Sequence, residues 1–230
     1  MSASPGAVAF RRAQYLAALG IDLWRPRARS GAVAQPLPAD SQGAWQVLRG
    51  EVSGCRQCGL CEGRTQTVFG VGNTAADVLV VGEAPGAEED RQGEPFVGRA
   101  GRLLNGMLLA IGRPRESVYI ANILKCRPPG NRDPSAAEVA SCLPYLHRQI
   151  ELLSPRLILV VGRIAAQSLL ATDTSIGRLR GRLHRYGAAG TPLVVTYHPA
   201  YLLRSPGEKR RAWADLKAAR AQFARVAAVA

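Results

Sequence analysis

The chain has 230 residues, 47% of them hydrophobic, and a formal net charge of +13. That length suffices for one well-packed domain with an extension, and no run approaches the roughly 20 apolar residues of a membrane span. The first 20 residues place their arginines after an apolar run rather than before it, so no export is expected and the protein is read as cytoplasmic.

Residues 1–44 read as an N-terminal extension: a short helix over Ala7–Leu19, then a Pro/Gly/Ser-rich linker. Residues 45–230 carry the pattern of a folded domain. A helix around Trp45–Val52 leads into Cys55-x-x-Cys58. Four apolar runs follow, at Asp77–Val81, Val118–Leu124, Leu157–Val161 and Leu193–Thr196. Helical patterns separate them at Ala100–Ile111, Ser135–Leu153 and Ile164–Ala171. Valine and isoleucine enrichment with little alternation suits strands buried on both faces. Strands alternating with helices at this spacing predict an α/β protein: a three-layer α/β/α sandwich with a central four-stranded, mainly parallel sheet. Lys209–Val226 reads as a closing basic helix.

The charge is unevenly placed. Residues 51–175 hold 13 basic and 13 acidic groups, whereas residues 176–225 hold 11 basic against 2 acidic. A composition bias explains why 27 of the 30 basic residues are arginine, but not why acids thin out after residue 175. A one-sided excess of this kind is the electrostatic footprint of a phosphate-backbone binder.

The cysteines are divided. Cys55 and Cys58 form one pair, while Cys126 and Cys142 lie far downstream, with 15 residues between them. In an intracellular chain such thiols favour a metal or cluster over disulfides, and the fold must bring the pairs together.

Ligands in open parallel sheets bind beyond the carboxyl ends of the strands. The polar signatures fall there: GEAPG (82–86) after the first run, Asn122 and KCRPPGN at the second, and HPAYLLR (198–204) after the fourth. The third run ends blandly, in Gly162-Arg163. GEAPG has neither the spacing of a dinucleotide fingerprint nor the Lys-Ser/Thr of a phosphate loop. Glu88, Glu89 and Asp90 form either a solvated acidic face or a group that orients a water or a histidine. Phe96, flanked by Pro95 and Gly98, serves as a loop anchor or as a platform for a planar ligand. Asn122 inside an apolar strand needs partners, from a turn or from a base edge whose donor and acceptor it matches. His198 alone of the three histidines stands at a strand end.

Taken together and in order, Cys55-x-x-Cys58, GEAPGAEED, PFVGRAG, NILKCRPPGNR, Cys142 and HPAYLLR resemble the family 4 uracil-DNA glycosylases, the iron–sulfur branch of that superfamily. The likeness runs from about residue 45 to residue 217. It implies a monomeric enzyme that flips uracil out of DNA and hydrolyses its N-glycosidic bond, the first step of base excision repair. It implies a 4Fe–4S cluster on Cys55, Cys58, Cys126 and Cys142, and a uracil pocket of Gly82, Glu83, Ala84, Phe96, Asn122 and His198. Pro199, Ala200, Tyr201, Leu202, Leu203 and Arg204 would form a loop entering the DNA minor groove.

Other glycosylase families carry an aspartate where this chain has Ala84. Glu83 is then the leading catalytic carboxylate, with Asn131 as its orienting partner, and Glu89 is the expected partner of His198. A related branch traps uracil on a histidine in an insert after the second-strand motif; CRPPGNRDP has none, which favours a turnover enzyme over a uracil-trapping one. A non-catalytic zinc-held DNA-binding module is the competing reading, poorly matched by the wide Cys126–Cys142 spacing. Cys61 extends the first pair but has no matching ligand role.

Overall fold

A computed structural model of the protein describes residues 39–227. The helix expected over Ala7–Leu19 lies outside the described residues. The helix expected at Trp45–Val52 starts earlier and spans Ala39–Ser53 (α1). After a short turn of helix at Leu60–Gly63 (α2), a two-residue strand, Val71–Gly72 (β1), precedes the main sheet.

The four apolar runs become the four parallel strands: Val78–Gly82 (β2), Tyr119–Asn122 (β3), Leu157–Val161 (β4) and Thr191–Thr196 (β6). Every residue of β2, β3 and β4 is buried. Burying one such side chain contributes about 1.5–3 kcal/mol, so near-continuous apolar runs are what a two-sided sheet demands.

The sheet has six strands rather than four, in the order β1-β3-β2-β4-β6-β5. Both additions are antiparallel edges. β1 pairs Val71 with Ile120, and β5 (Leu183–Tyr186) pairs Leu183 with Val194 in a hairpin with β6. The sequence LHRY of β5 alternates between exposed and half-buried positions. It has no apolar run, and β1 is too short for any period.

Side chains alternate across the sheet. Leu79, Val81, Ile158, Val160, Leu193 and Val195 pack on one face with Trp45 and Leu48 of α1 and with Leu146 and Ile150 of α5 (Ala136–Leu153). Val78, Val80, Leu159, Val161 and Val194 face the other way. They meet Leu104 and Leu108 of α4 (Arg99–Ala110) and Leu216 and Ala219 of the basic C-terminal helix α9 (Lys209–Ala227). The result is the expected three-layer sandwich.

A buried ion pair locks α9 to the sheet. Arg180 Nε and Nη2 donate to the two oxygens of Asp215 at 3.0 and 2.9 Å, and Thr196 Oγ1 of β6 donates to the same carboxylate at 3.0 Å. Glu208, the other acid of the C-terminal fifth, pairs with Arg211. Both acids are thus spent on structure, and the basic surface is left nearly undiluted.

Candidate active site

β2 leads to β3 on one side, and the chain then crosses back to β4 on the other, so the strand order reverses around β2. A crevice forms at such a switch point. Here it is a cavity of about 450 Å³ at the carboxyl ends of β2, β3 and β6, lined among others by Glu83, Phe96, Asn122, Asn131, Asp133 and His198.

Asn122 ends β3 and is buried, and its Oδ1 has no hydrogen-bond partner among the described residues. A buried orphan acceptor costs roughly 1–3 kcal/mol, a cost that a ligand donor would relieve. Gly82 ends β2 opposite it. A Cβ at Gly82 would stand 2.5 Å from Asn122 Oδ1 and 2.6 Å from the Phe96 ring, so only glycine lets amide and ring share this space.

Phe96 adopts φ 55°, a left-handed conformation that costs a bulky residue on the order of 1–3 kcal/mol. Its loop is held from two sides. Arg115 Nη2 and Nη1 donate to the carbonyls of Pro95 and Phe96 at 2.7 and 3.2 Å. Glu89 Oε1 accepts from the amides of Val97 and Gly98 at 3.0 and 3.1 Å, and its Oε2 accepts from Gly86 at 3.1 Å.

The three neighbouring acids therefore divide into separate roles. Glu89 clamps two loops through backbone amides and reaches His198 through charge alone. Asp90 is buried and accepts the Thr65 amide at 3.0 Å. Glu88 pairs with Arg91 at the surface.

His198 caps Pro199–Arg204, a short helix (α8) where a loop was expected. Pro199 fits the first helical position, where no N–H is needed. Ala200 N–H donates to His198 Nδ1 at 3.1 Å, which leaves the proton of a neutral ring on Nε2. Burial, helped by the charge of Arg204 and partly opposed by Glu89, pushes the imidazole down to about 4. The ring tilts over Phe96 with centroids 5.6 Å apart.

Glu83 is pushed up to about 7, first by burial and then by the charge of Asp133, with Arg163 opposing. Arg163 Nη2 in turn donates to Asp133 at 2.7 Å. Asn131, with φ 56°, lines the same cavity while its Oδ1 accepts from Arg127 Nε at 2.8 Å.

Asp133, Arg163 and Arg115 escaped the sequence reading because each acts through another group. Gly162 escaped too. Its φ of 107° suits glycine, and a Cβ there would approach His198 Cβ to 3.2 Å, so the bland end of β4 is the wall behind the histidine.

Within α8 the helical turn separates the expected DNA-contacting residues. Pro199 and Leu202 are buried, Ala200 is half-buried, and Tyr201, Leu203 and Arg204 stand exposed. The side chain of Leu202 packs in the core and is unavailable to a partner.

Cys55, Cys58, Cys61, Cys126 and Cys142 line one separate cavity with Arg64, Lys125 and Tyr145. None is in a disulfide. Arg64 Nη1 donates to Cys126 Sγ, and Lys125 N–H donates to Cys142 Sγ, both at 3.2 Å. Burial pushes the Cys126 thiol up and that of Cys142 up to about 11. Among the described residues no three His, Cys, Asp or Glu side chains converge closely enough for a single metal ion.

Residues 69–217 match the family model described as the Uracil DNA glycosylase superfamily, the class that this sheet and crevice define. Within that class the chain is 45% identical over 173 residues to a type-4 uracil-DNA glycosylase of Archaeoglobus fulgidus, covering 73% of this chain and 87% of that protein. It is 42% identical over 167 residues to the type-4 enzyme of Saccharolobus solfataricus, covering 70% and 77%. With that of Sulfurisphaera tokodaii it shares 39% over 179 residues, covering 75% and 81%. The chain belongs to the type-4 uracil-DNA glycosylases.

Proposed function

We propose that this chain excises uracil from DNA by hydrolysing the N-glycosidic bond of a flipped-out nucleotide. The carrying observation is the unpartnered, buried Asn122 Oδ1 in the same cavity as a neutral His198. Uracil offers the N3–H that this oxygen lacks, and the amide N–H₂ suits uracil O4. Cytosine, with an exocyclic amine and an unprotonated N3, satisfies neither in that orientation. Phe96 stacks on the base, and Gly82 and Ala84 leave room for it.

Bond breaking puts negative charge on the departing ring and positive charge on the sugar. His198 Nε2–H donates to uracil O2 as that charge develops, in a pocket where water competes little. Glu83, poised near neutrality, serves as the carboxylate that orients the attacking water or stabilises the sugar cation, with Asn131 as a second ligand for that water. Glu89 acts by holding the loops around Phe96 and by its charge on His198. Tyr201, Leu203 and Arg204 face the duplex, Leu203 as an apolar wedge in the gap the base leaves, and the basic surface after residue 175 tracks the phosphates.

Cys55, Cys58, Cys126 and Cys142 would hold a 4Fe–4S cluster. The N–H···S contacts from Arg64 and Lys125, and these four thiols lining one cavity, suit a thiolate-held iron–sulfur centre. When bound, it cross-links the segment after α1 to β3 and α5 and supplies no step in the hydrolysis. The glycosylase domain is residues 45–230, acting as a monomer on DNA in the cytoplasm. Among the described residues no helix is long and apolar enough to cross a membrane.

The test is incubation of the iron-loaded protein with a single-uracil oligonucleotide, then alkaline cleavage of abasic sites. Cleavage at uracil, and not at cytosine in the same position, is expected. Intact uracil strands would overturn the proposal.

A further inference from the structure

Lys125 is one of three lysines in the chain and is 1% exposed. Its Nζ donates to the Asn122 carbonyl at 2.8 Å and to Gln149 Oε1 at 2.6 Å. Its backbone is pinned too, with N–H to Cys142 Sγ at 3.2 Å and C=O accepting from Val68 at 2.8 Å. Gln149 is itself fixed by donating to the Phe69 carbonyl at 2.9 Å. One residue therefore touches the cysteine cavity with its main chain and the base-facing end of β3 with its ammonium.

An ammonium buried this deeply needs a compensating negative charge. Among the described residues Lys125 has no carboxylate within salt-bridge distance, and its two side-chain acceptors are neutral. What adjoins it is the cysteine cavity, which Lys125 lines together with all five thiols and where its own N–H meets Cys142 Sγ. A thiolate-ligated iron–sulfur core retains net negative charge, because the irons and sulfides cancel only part of what the thiolates bring.

We propose that Lys125 is the internal counter-charge of the cysteine-bound cluster and, through the Asn122 carbonyl, a positioning residue for base selection. This rests on reading the cysteines as a cluster site and Asn122 as the base reader. It gives the cluster a link to the active site without a redox role: cluster charge holds the lysine, and the lysine holds the strand end.

The experiment compares wild type, Lys125→Met, Lys125→Arg and Gln149→Glu as iron-loaded proteins. Three readouts are taken: iron and sulfide content, cluster reduction potential by film voltammetry, and single-turnover uracil release. Losing a positive charge beside the cluster disfavours reduction, so Lys125→Met shifts the potential negative and Lys125→Arg stays near wild type. Gln149→Glu brings a carboxylate to the ammonium and also shifts it negative, although the lysine remains. Uracil release in Lys125→Met falls about tenfold, the scale of one charge-assisted hydrogen bond.

Wild-type potential and wild-type rate in Lys125→Met with full iron would overturn the proposal. If Lys125→Met does not fold, an unshifted potential in Gln149→Glu overturns it instead. A wild-type protein devoid of iron, or one with full iron that releases no uracil, would overturn the underlying reading of the cysteines or of the pocket, a failure visible before any variant is made.

Discussion

The backbone N–H of Ala200 donates to Nδ1 of His198, and this contact decides which face of the ring carries the proton. A ring that accepts at Nδ1 and has its pKa pushed down to about 4 is neutral at pH 7, with Nε2–H as its donor. The histidine then needs no protonation to assist the leaving group. His198→Ala should slow single-turnover uracil release by about 10²–10³, the usual cost of removing one oxyanion donor. Nitrogen NMR of the imidazole should show the neutral Nε2–H tautomer from pH 8 down to pH 5. An imidazolium signal at pH 7 would refute the assignment.

Glu83 and Asp133 set the pH dependence. Glu83 is needed as a carboxylate, and its pKa is pushed up to about 7, so release should rise with pH through a midpoint near 7 and then level off. Asp133→Asn removes a negative charge that raises this pKa and frees Arg163, which lowers it; the midpoint moves to lower pH. Arg163→Gln moves it to higher pH. Single-turnover rates between pH 5 and 9 measure both. Identical midpoints in the two variants would mean that another group titrates.

The sheet was legible because strands buried on both faces admit little but Val, Ile and Leu. The base pocket was legible because its direct participants sit in short polar motifs at those strand ends. What remained hidden is indirect. Arg163, Asp133 and Arg115 look like ordinary surface charges until the fold aims them at Glu83 and the Phe96 loop. The left-handed backbone of Phe96 has no signature in its residue type, and β5 is an exposed edge with no apolar run. Leu202 and Leu203 are adjacent in sequence, yet the helix sends one into the core and the other to the surface.

Cys61 faces the same cavity as the four expected ligands, so proximity alone does not exclude it. N–H groups point at Cys126 and Cys142, the ligands contributed by the distant segments, and do not separate Cys61 from Cys58. A fifth thiol is surplus to a four-ligand cluster. Cys61→Ser should retain full iron and sulfide and the brown absorbance, whereas Cys58→Ser should lose the cluster. Iron analysis and visible spectra after anaerobic purification decide it, and loss of iron in Cys61→Ser would make that residue a ligand.

Gly82 gives the most stringent test of the pocket. Its position at the end of β2 is fixed by the ladder to β3, where Gly82 pairs with Asn122. A methyl group added there meets Asn122 Oδ1 at 2.5 Å and the Phe96 ring at 2.6 and 2.8 Å. Neither neighbour yields easily: the Phe96 loop is tied by Arg115 and Glu89, and the Asn122 carbonyl by Lys125. Relief must come from turning the ring or the amide into the space reserved for the base. Gly82→Ala should therefore cost about 1–3 kcal/mol of stability through overpacking, readable as a lowered Tm. It should reduce uracil release by far more than that stability loss explains at a temperature where the variant is fully folded. A folded Gly82→Ala protein that releases uracil at the wild-type rate would show that the base does not bind between Phe96 and Asn122.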